Sequence, residues 1–204
     1  MKLAYSPISP FARKVRIAAI ELGLADRITL ESMHLLPNER HDDYQQRVNP
    51  LGKIPALTLD DGRVLYDSQV ICEYLDVIAG GGRLLPAHGN ARFDALTQHA
   101  LANGMADALV LVRYENVLRP EALRWQDWCD AQLRKVHAGL VWFDQHADTL
   151  NHSIDLPQIA LGCLLGYADF RFPQLGWQQA HPRLAAWYAR IATRASFAAT
   201  APSA

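Results

Sequence analysis

The chain changes its hydrophobic period once, at Ala79-Gly80-Gly81-Gly82-Arg83-Leu84-Leu85-Pro86. That change limits the architectures open to it. Before it, short β runs alternate with helical patterns; after it, every periodic segment repeats as a helix does. A Gly-rich stretch closed by Pro reads as a linker. Strands mixed with helices, then helices alone, predict an α+β or α/β domain followed by an all-α domain. The boundaries read as 1–79 for the first, 80–90 for the linker and 91–204 for the helical part.

In the first part Lys2 to Tyr5 is a strand candidate. Residues 10–22 are helical, with Val15, Ala18, Ala19 and Leu22 on one face and Gly23 as the stop. Ile28 to Met33 reads as a strand and 41–48 as a polar, weakly helical stretch. Ile54 to Leu59 and Arg63 to Tyr66 are β runs joined by Asp60-Asp61-Gly62, a hairpin signal. Ser68 to Ile78 is again helical. The predicted order is β-α-β-α-β-β-α. Beyond the linker, helices are expected over 91–118 (with Gly104 as a bend), 121–146, 156–171 and 182–194, with 195–204 trailing. Asp155 is an N-cap followed by Gln158 three residues on, a capping box, with Ile154 and Ile159 as its hydrophobic staple.

Composition narrows the class. The 204 residues are half hydrophobic, enough for a substantial core, and the net charge is −1, without the basic excess of a nucleic-acid binder. No apolar run reaches a membrane span, and Pro7, Pro10, Arg13 and Lys14 interrupt any signal-peptide core. Three widely spaced cysteines, Cys72, Cys129 and Cys163, fit a reducing cytoplasm, and no metal-ligand spacing occurs.

Three turns carry possible chemistry, each beside a plain structural reading. Ser9-Pro10 is an N-cap with Pro at the first helical position, which also sets a hydroxyl where N–H groups and the helix dipole favour an anion. Asn49-Pro50-Leu51-Gly52 fits a type I turn and leads into Lys53-Ile54-Pro55. A cis Ile54–Pro55 bond would turn the Ile54 backbone outward to pair with an extended peptide. Asp67-Ser68 is another N-cap; read functionally, Ser68 holds a carboxylate and Asp67 an amino group, as an α-amino acid would need.

The first turn resembles the Cys-Pro-x-Cys turn of thioredoxin-like proteins, with Ser9 and Ala12 at the cysteine positions. Without those thiols, a glutaredoxin-like disulfide reductase is disfavoured. Over nearly its whole length the chain resembles the cytosolic glutathione S-transferases, in particular bacterial glutathione transferase-like proteins. The matching motifs are Ser9-Pro10-Phe11-Ala12-Arg13-Lys14-Val15, Asn49-Pro50-Leu51-Gly52-Lys53-Ile54-Pro55-Ala56-Leu57 and Asp67-Ser68-Gln69-Val70-Ile71. Later come Gly166-Tyr167-Ala168-Asp169-Phe170-Arg171-Phe172-Pro173 and His181-Pro182-Arg183-Leu184-Ala185-Ala186-Trp187.

The resemblance implies a thioredoxin-like α/β domain followed by an all-α domain, a homodimer, and glutathione as co-substrate without a metal. It implies a cytoplasmic detoxifying enzyme that joins the glutathione thiolate to small hydrophobic electrophiles, with peroxidase activity as an extension. Ser9 would hydrogen-bond the sulfur as a donor. Ile54, before Pro55, would pair with the cysteinyl unit; Asp67 and Ser68 would hold the γ-glutamyl end. Lys53 would lie near the glutathione backbone or glycyl carboxylate. Related sequences often have Asp near Asn103, facing the dimer partner; Asn103 would offer a carbonyl to the γ-glutamyl amine. Phe11, Tyr114 and Trp177 are candidate cleft residues, with ordinary core aromatics as the competing reading. The alternative function is a glutathione- or ligand-binding protein of the same fold without turnover.

Overall fold

The computed structural model describes residues 1–150 and 153–202. Its sheet is built from β1 (Lys2–Tyr5), β2 (Thr29–Ser32), β3 (Ala56–Thr58) and β4 (Val64–Leu65), in the order β2-β1-β3-β4. β1 runs parallel to β2, with Leu3 opposite Leu30. The other pairs are antiparallel, with Leu3 opposite Leu57 and Leu57 opposite Leu65. The sheet helices are α1 (Pro10–Glu21), α2 (Asp42–Arg47) and α3 (Ser68–Ile78). The β-α-β-α-β-β-α order is as expected.

The rest is helical: α4 (Asn90–Val117), α5 (Gln126–Gln145), α6 (Leu156–Arg171), α7 (Trp177–Ala180), α8 (Pro182–Ala192) and α9 (Ala195–Ala198). Gly104 does not interrupt α4. The segment expected to be helical from 121 enters α5 only at Gln126; the Glu115 carboxylate accepts the Trp125 N–H at 2.9 Å just before that start. Asp155 caps α6 through the Gln158 N–H at 2.9 Å, but the Gln158 amide donates to Ser153 O, not back to the cap. No helix among the described residues is long and apolar enough to cross a membrane.

Helix α1 joins the two halves. It packs on α3 within the sheet domain and on α6 and α9 of the helical part, and reaches α4 through Lys14. Its buried residues include Ala12, Val15, Ile17 and Ala18, but also Arg13 and Lys14. One core cluster runs from Leu3 and Val15 through Leu109 and Leu161 to Phe197.

The tail corrects the sequence expectation. Residues 195–202 do not trail; Phe197 and Thr200 are each 1% exposed, while residues 203 and 204 lie outside the described part. Arg13 donates from Nη2 to Phe197 O at 3.1 Å and from Nε to Thr200 Oγ1 at 3.4 Å. A Cβ at Gly162 would strike the Phe197 ring, and one at Gly166 would strike Arg13 Nη1. These two small residues of α6 make the groove that the tail and Arg13 occupy. At the other end of α1, Glu21 accepts from Arg194 at 2.8 Å and from Ser196 at 2.5 Å.

The Gly-rich linker is ordered by one carboxylate. Asp76, 4% exposed, accepts the N–H groups of Gly82, Arg83, Leu84 and Leu85 at 3.0–3.3 Å. Gly80, Gly81 and Gly82 all have positive φ, which lets the chain wrap this side chain. Leu84 O then accepts the Leu156 N–H at 2.9 Å, tying the linker to α6.

Asp76→Ala strands those donors and is expected to cost about 2–4 kcal/mol in denaturant unfolding, with Asp76→Asn intermediate. The Arg194 hydrogen bond, then Ser196, hold the Glu21 carboxyl below the usual range against the effect of burial. A depressed folded-state value contributes stability that is present at neutral pH and lost as pH falls through that value. Glu21→Gln is therefore expected to be less stable than the wild type at neutral pH, with the difference shrinking on acidification; unfolding curves over the acid range measure it.

Candidate functional site

The register of the sheet brings the three singled-out turns to one end. β1 ends at Tyr5 and leads to Ser9. β3, antiparallel to it with Ala4 opposite Ala56, begins just after Ile54 and Pro55. β4 leaves the sheet at Leu65 on that same side and leads through Tyr66 to Asp67. Three turns far apart in sequence thus meet at one edge, two of them opening a helix.

Ser9 has extended backbone and its Oγ accepts the Ala12 N–H at 3.2 Å, with Pro10 as the first helical residue. The cap uses a lone pair of the hydroxyl and leaves its proton free to donate. The Ile54–Pro55 bond is cis, as is Tyr66–Asp67. Neither the N–H nor the C=O of Ile54 is hydrogen-bonded within the described residues. The Asn49 turn holds this segment: Asn49 Oδ1 accepts the Leu51 N–H at 3.0 Å, and Asn49 Nδ2 and the Tyr44 hydroxyl both donate to Lys53 O. The Lys53 side chain stays exposed. Asp67 caps α3 by accepting the Gln69 N–H at 3.0 Å, and Ser68 beside it is 2% exposed. The end of the sheet therefore offers a hydroxyl donor, an unpaired backbone segment and a capped helix start, which together suit an extended ligand with an anionic group.

Between the two halves lies a narrow cleft walled by Pro10, Phe11 and Lys14 of α1, Ala102 and Asn103 of α4 and Cys163 of α6, with about 10 Å³ free, room for little more than one water. Phe11 lines it. Tyr114 and Trp177 do not border that space. Trp177 is 3% exposed, donates its indole N–H to Asp169 at 2.7 Å and meets Tyr188 edge-on. Asn103 Oδ1 accepts from Lys14 Nζ at 2.8 Å, so part of its carbonyl capacity is used inside the chain.

Two charged residues escaped the sequence reading. Lys14 is 1% exposed. Asp107, one turn beyond Asn103, has its carboxyl raised first by burial, opposed by Lys53 and Lys14 and reinforced by Asp67. Its i+4 spacing from Asn103 was the available signal. The three cysteines are unpaired and buried. Burial pushes the Cys72 thiol up to about 12 and the Cys163 thiol to about 11, so both stay protonated at neutral pH. No group of three His, Cys, Asp or Glu among the described residues is arranged to hold a metal.

Residues 8–78 match the family model of the glutathione S-transferase N-terminal domain, and 126–190 that of the C-terminal domain. The uncharacterized GST-like protein YibF of Escherichia coli K12 is 34% identical over 99% of this chain and 98% of its own length. A glutathione transferase family member from Pseudomonas fluorescens Pf-5, crystallised with glutathione, superposes with a TM-score of 0.96 at 45% identity, over 100% of this chain and 99% of that one. The same relative with S-(propanoic acid)-glutathione superposes at 0.91 and 44% identity, over 100% of both chains. With a thioredoxin-like sheet domain, an all-helical second part and these full-length likenesses, the chain belongs to the glutathione S-transferase family.

Proposed function

We propose that the protein binds glutathione along the end of its sheet and transfers the thiolate to small hydrophobic electrophiles, with reduction of peroxides as an extension. The observation that carries this reading is the convergence of Ser9, Ile54–Pro55 and Asp67–Ser68 on one sheet edge, with the Ser9 proton still available. Glutathione spans the set: its sulfur at Ser9, its cysteinyl backbone on Ile54 before Pro55, its γ-glutamyl end on Asp67 and Ser68, with Asn103 near that end and Lys53 beside its glycyl side. Glutathione bound to the Pseudomonas relative supports the ligand, and the S-conjugate bound to it supports an S-substituent beside the sulfur.

A thiol of pKa near 8.5 is only a few per cent ionised at neutral pH. Each unit by which the site lowers that value corresponds to about 1.4 kcal/mol. Ser9 is too weak a base to take the proton. It donates to the sulfur anion, helped by the positive end of α1, and the anion attacks an electrophile entering beside Phe11, with Tyr114 and Trp177 as outlying aromatic candidates. The alternative reading is a glutathione-binding protein of the same fold without turnover.

Retention on immobilised glutathione, with conjugation to an activated aryl halide, is the expected outcome. Retention alone supports the second reading, and failure of both removes glutathione as the ligand. Ser9→Ala is expected to lower turnover about 10–100-fold, the worth of a charge-assisted hydrogen bond, with a smaller effect on binding. Unchanged turnover would leave Ser9 a helix cap only.

The cytoplasm and a detoxifying role belong to the same proposal, supported by the unpaired cysteines. So does a homodimer, the assembly the family resemblance implies, with Phe93, 67% accessible on α4, as a candidate contact. Light scattering is expected to give twice the mass of one chain, and Phe93→Glu to shift it toward the single chain; a monomeric wild type would overturn the homodimer.

A further inference from the structure

Lys14 is among the largest side chains that this fold buries completely. An ammonium is far costlier to bury than the Leu or Met that would fill the same space. It takes part in no ion pair among the described residues. Its Nζ meets two uncharged side chains of α4 instead, His99 Nε2 at 2.9 Å and Asn103 Oδ1 at 2.8 Å. With Nε2 accepting, the His99 proton sits on Nδ1, which is buried without a partner. Burial, then Lys14, push the His99 imidazole down to about 3, so it adds no second positive charge at neutral pH. An ammonium carries three N–H groups, and these two acceptors leave one over.

This cation stands at the cleft. Lys14 walls it together with Pro10, Phe11 and Asn103, one turn into the helix that Ser9 caps. Burial, the largest influence, holds its pKa below the ordinary lysine value; the carboxylates of Asp67 and Asp107 favour its charged form. Charge on Lys14 and negative charge placed in the cleft therefore stabilise each other, in a setting where water screens little.

We propose that Lys14 is a built-in counter-cation for the glutathione thiolate, favouring ionisation of the bound thiol by its field without touching the sulfur; this rests on the glutathione reading above. The other titratable and charged groups that face it are His99 and Asp107 from α4, Asp67 and Cys72 from α3 and its cap, and Cys163 from α6. Its neighbour Arg13 turns instead to Phe197 and Thr200. The two carboxylates oppose a thiolate nearby; Lys14 and the α1 dipole favour one.

The ultraviolet absorbance of the thiolate, titrated against pH with glutathione bound, tests this. In the wild type the bound thiol is expected to ionise at lower pH than free glutathione. Lys14→Met is expected to cut the ionised fraction at neutral pH about tenfold, one unit of pKa. Its turnover should recover at alkaline pH, which loss of a merely structural residue would not produce. An unchanged thiol titration in Lys14→Met overturns the proposal, as does weaker glutathione binding with that titration unchanged. If Lys14→Met does not fold, Ser9→Ala decides: its bound thiol should remain more acidic than free glutathione, and a return to the free value overturns the role of Lys14. A wild type that binds no glutathione overturns the glutathione reading itself. A wild type that binds it with an ordinary thiol overturns this proposal alone.

Discussion

Helix α1 is held from both sides, and the rest of the molecule is arranged around that fact. Its buried residues, Val15 and Ala18 among them, pack it against α3 of the sheet domain and α6 and α9 of the helical part. Arg13 and Glu21, near its two ends, are clasped by the tail, through Phe197 and Thr200 at the start and Arg194 and Ser196 at the end. A helix gripped this way cannot shift relative to either half without breaking a buried contact. Its N-terminus, where Ser9 sits, is therefore a fixed point between the two parts of the chain.

That fixed point explains the chemistry the seam can support. The sheet edge contributes the Ile54 backbone and the Asp67–Ser68 helix start, while α4 and α6 close the cleft beside Phe11. Polar groups buried here are held by specific partners: Lys14 by His99 and Asn103, Lys53 O by Asn49 and Tyr44. Low water content strengthens each electrostatic interaction and makes an unpartnered group costly. The thiols of Cys72 and Cys163 are buried in this same region and stay protonated, so neither supplies a thiolate at neutral pH.

Much of this was legible locally. The N-caps at Ser9, Asp67 and Asp155, the Asn49 turn and the hairpin at Asp60-Asp61-Gly62 are governed by residues within about four positions of one another, the reach of capping and turn hydrogen bonds. The order of elements followed from their periods. What local spacing did not show depended on distant partners. The tail after 195 has no period of its own and is ordered only because Gly162 and Gly166 leave a groove for Phe197 and Arg13. The partners of Trp177, Asp169 and Tyr188, are of this kind. The stretch after Ala79 reads as a Gly-rich linker, and its order comes from Asp76, which gathers its N–H groups.

By itself the sequence determined the two-part architecture, the caps and turns, and the family motifs around Ser9, Ile54–Pro55 and Asp67–Ser68, because these rest on spacing along the chain. Only the tertiary structure decided that Lys14 lies buried with His99 and Asn103, 85 and 89 residues away. It also decided that Asp107 joins the charges there. A lysine next to an arginine at a helix start reads as a solvated surface. Its burial is set by which face of α1 the helices α4 and α6 cover, and no local pattern encodes that packing.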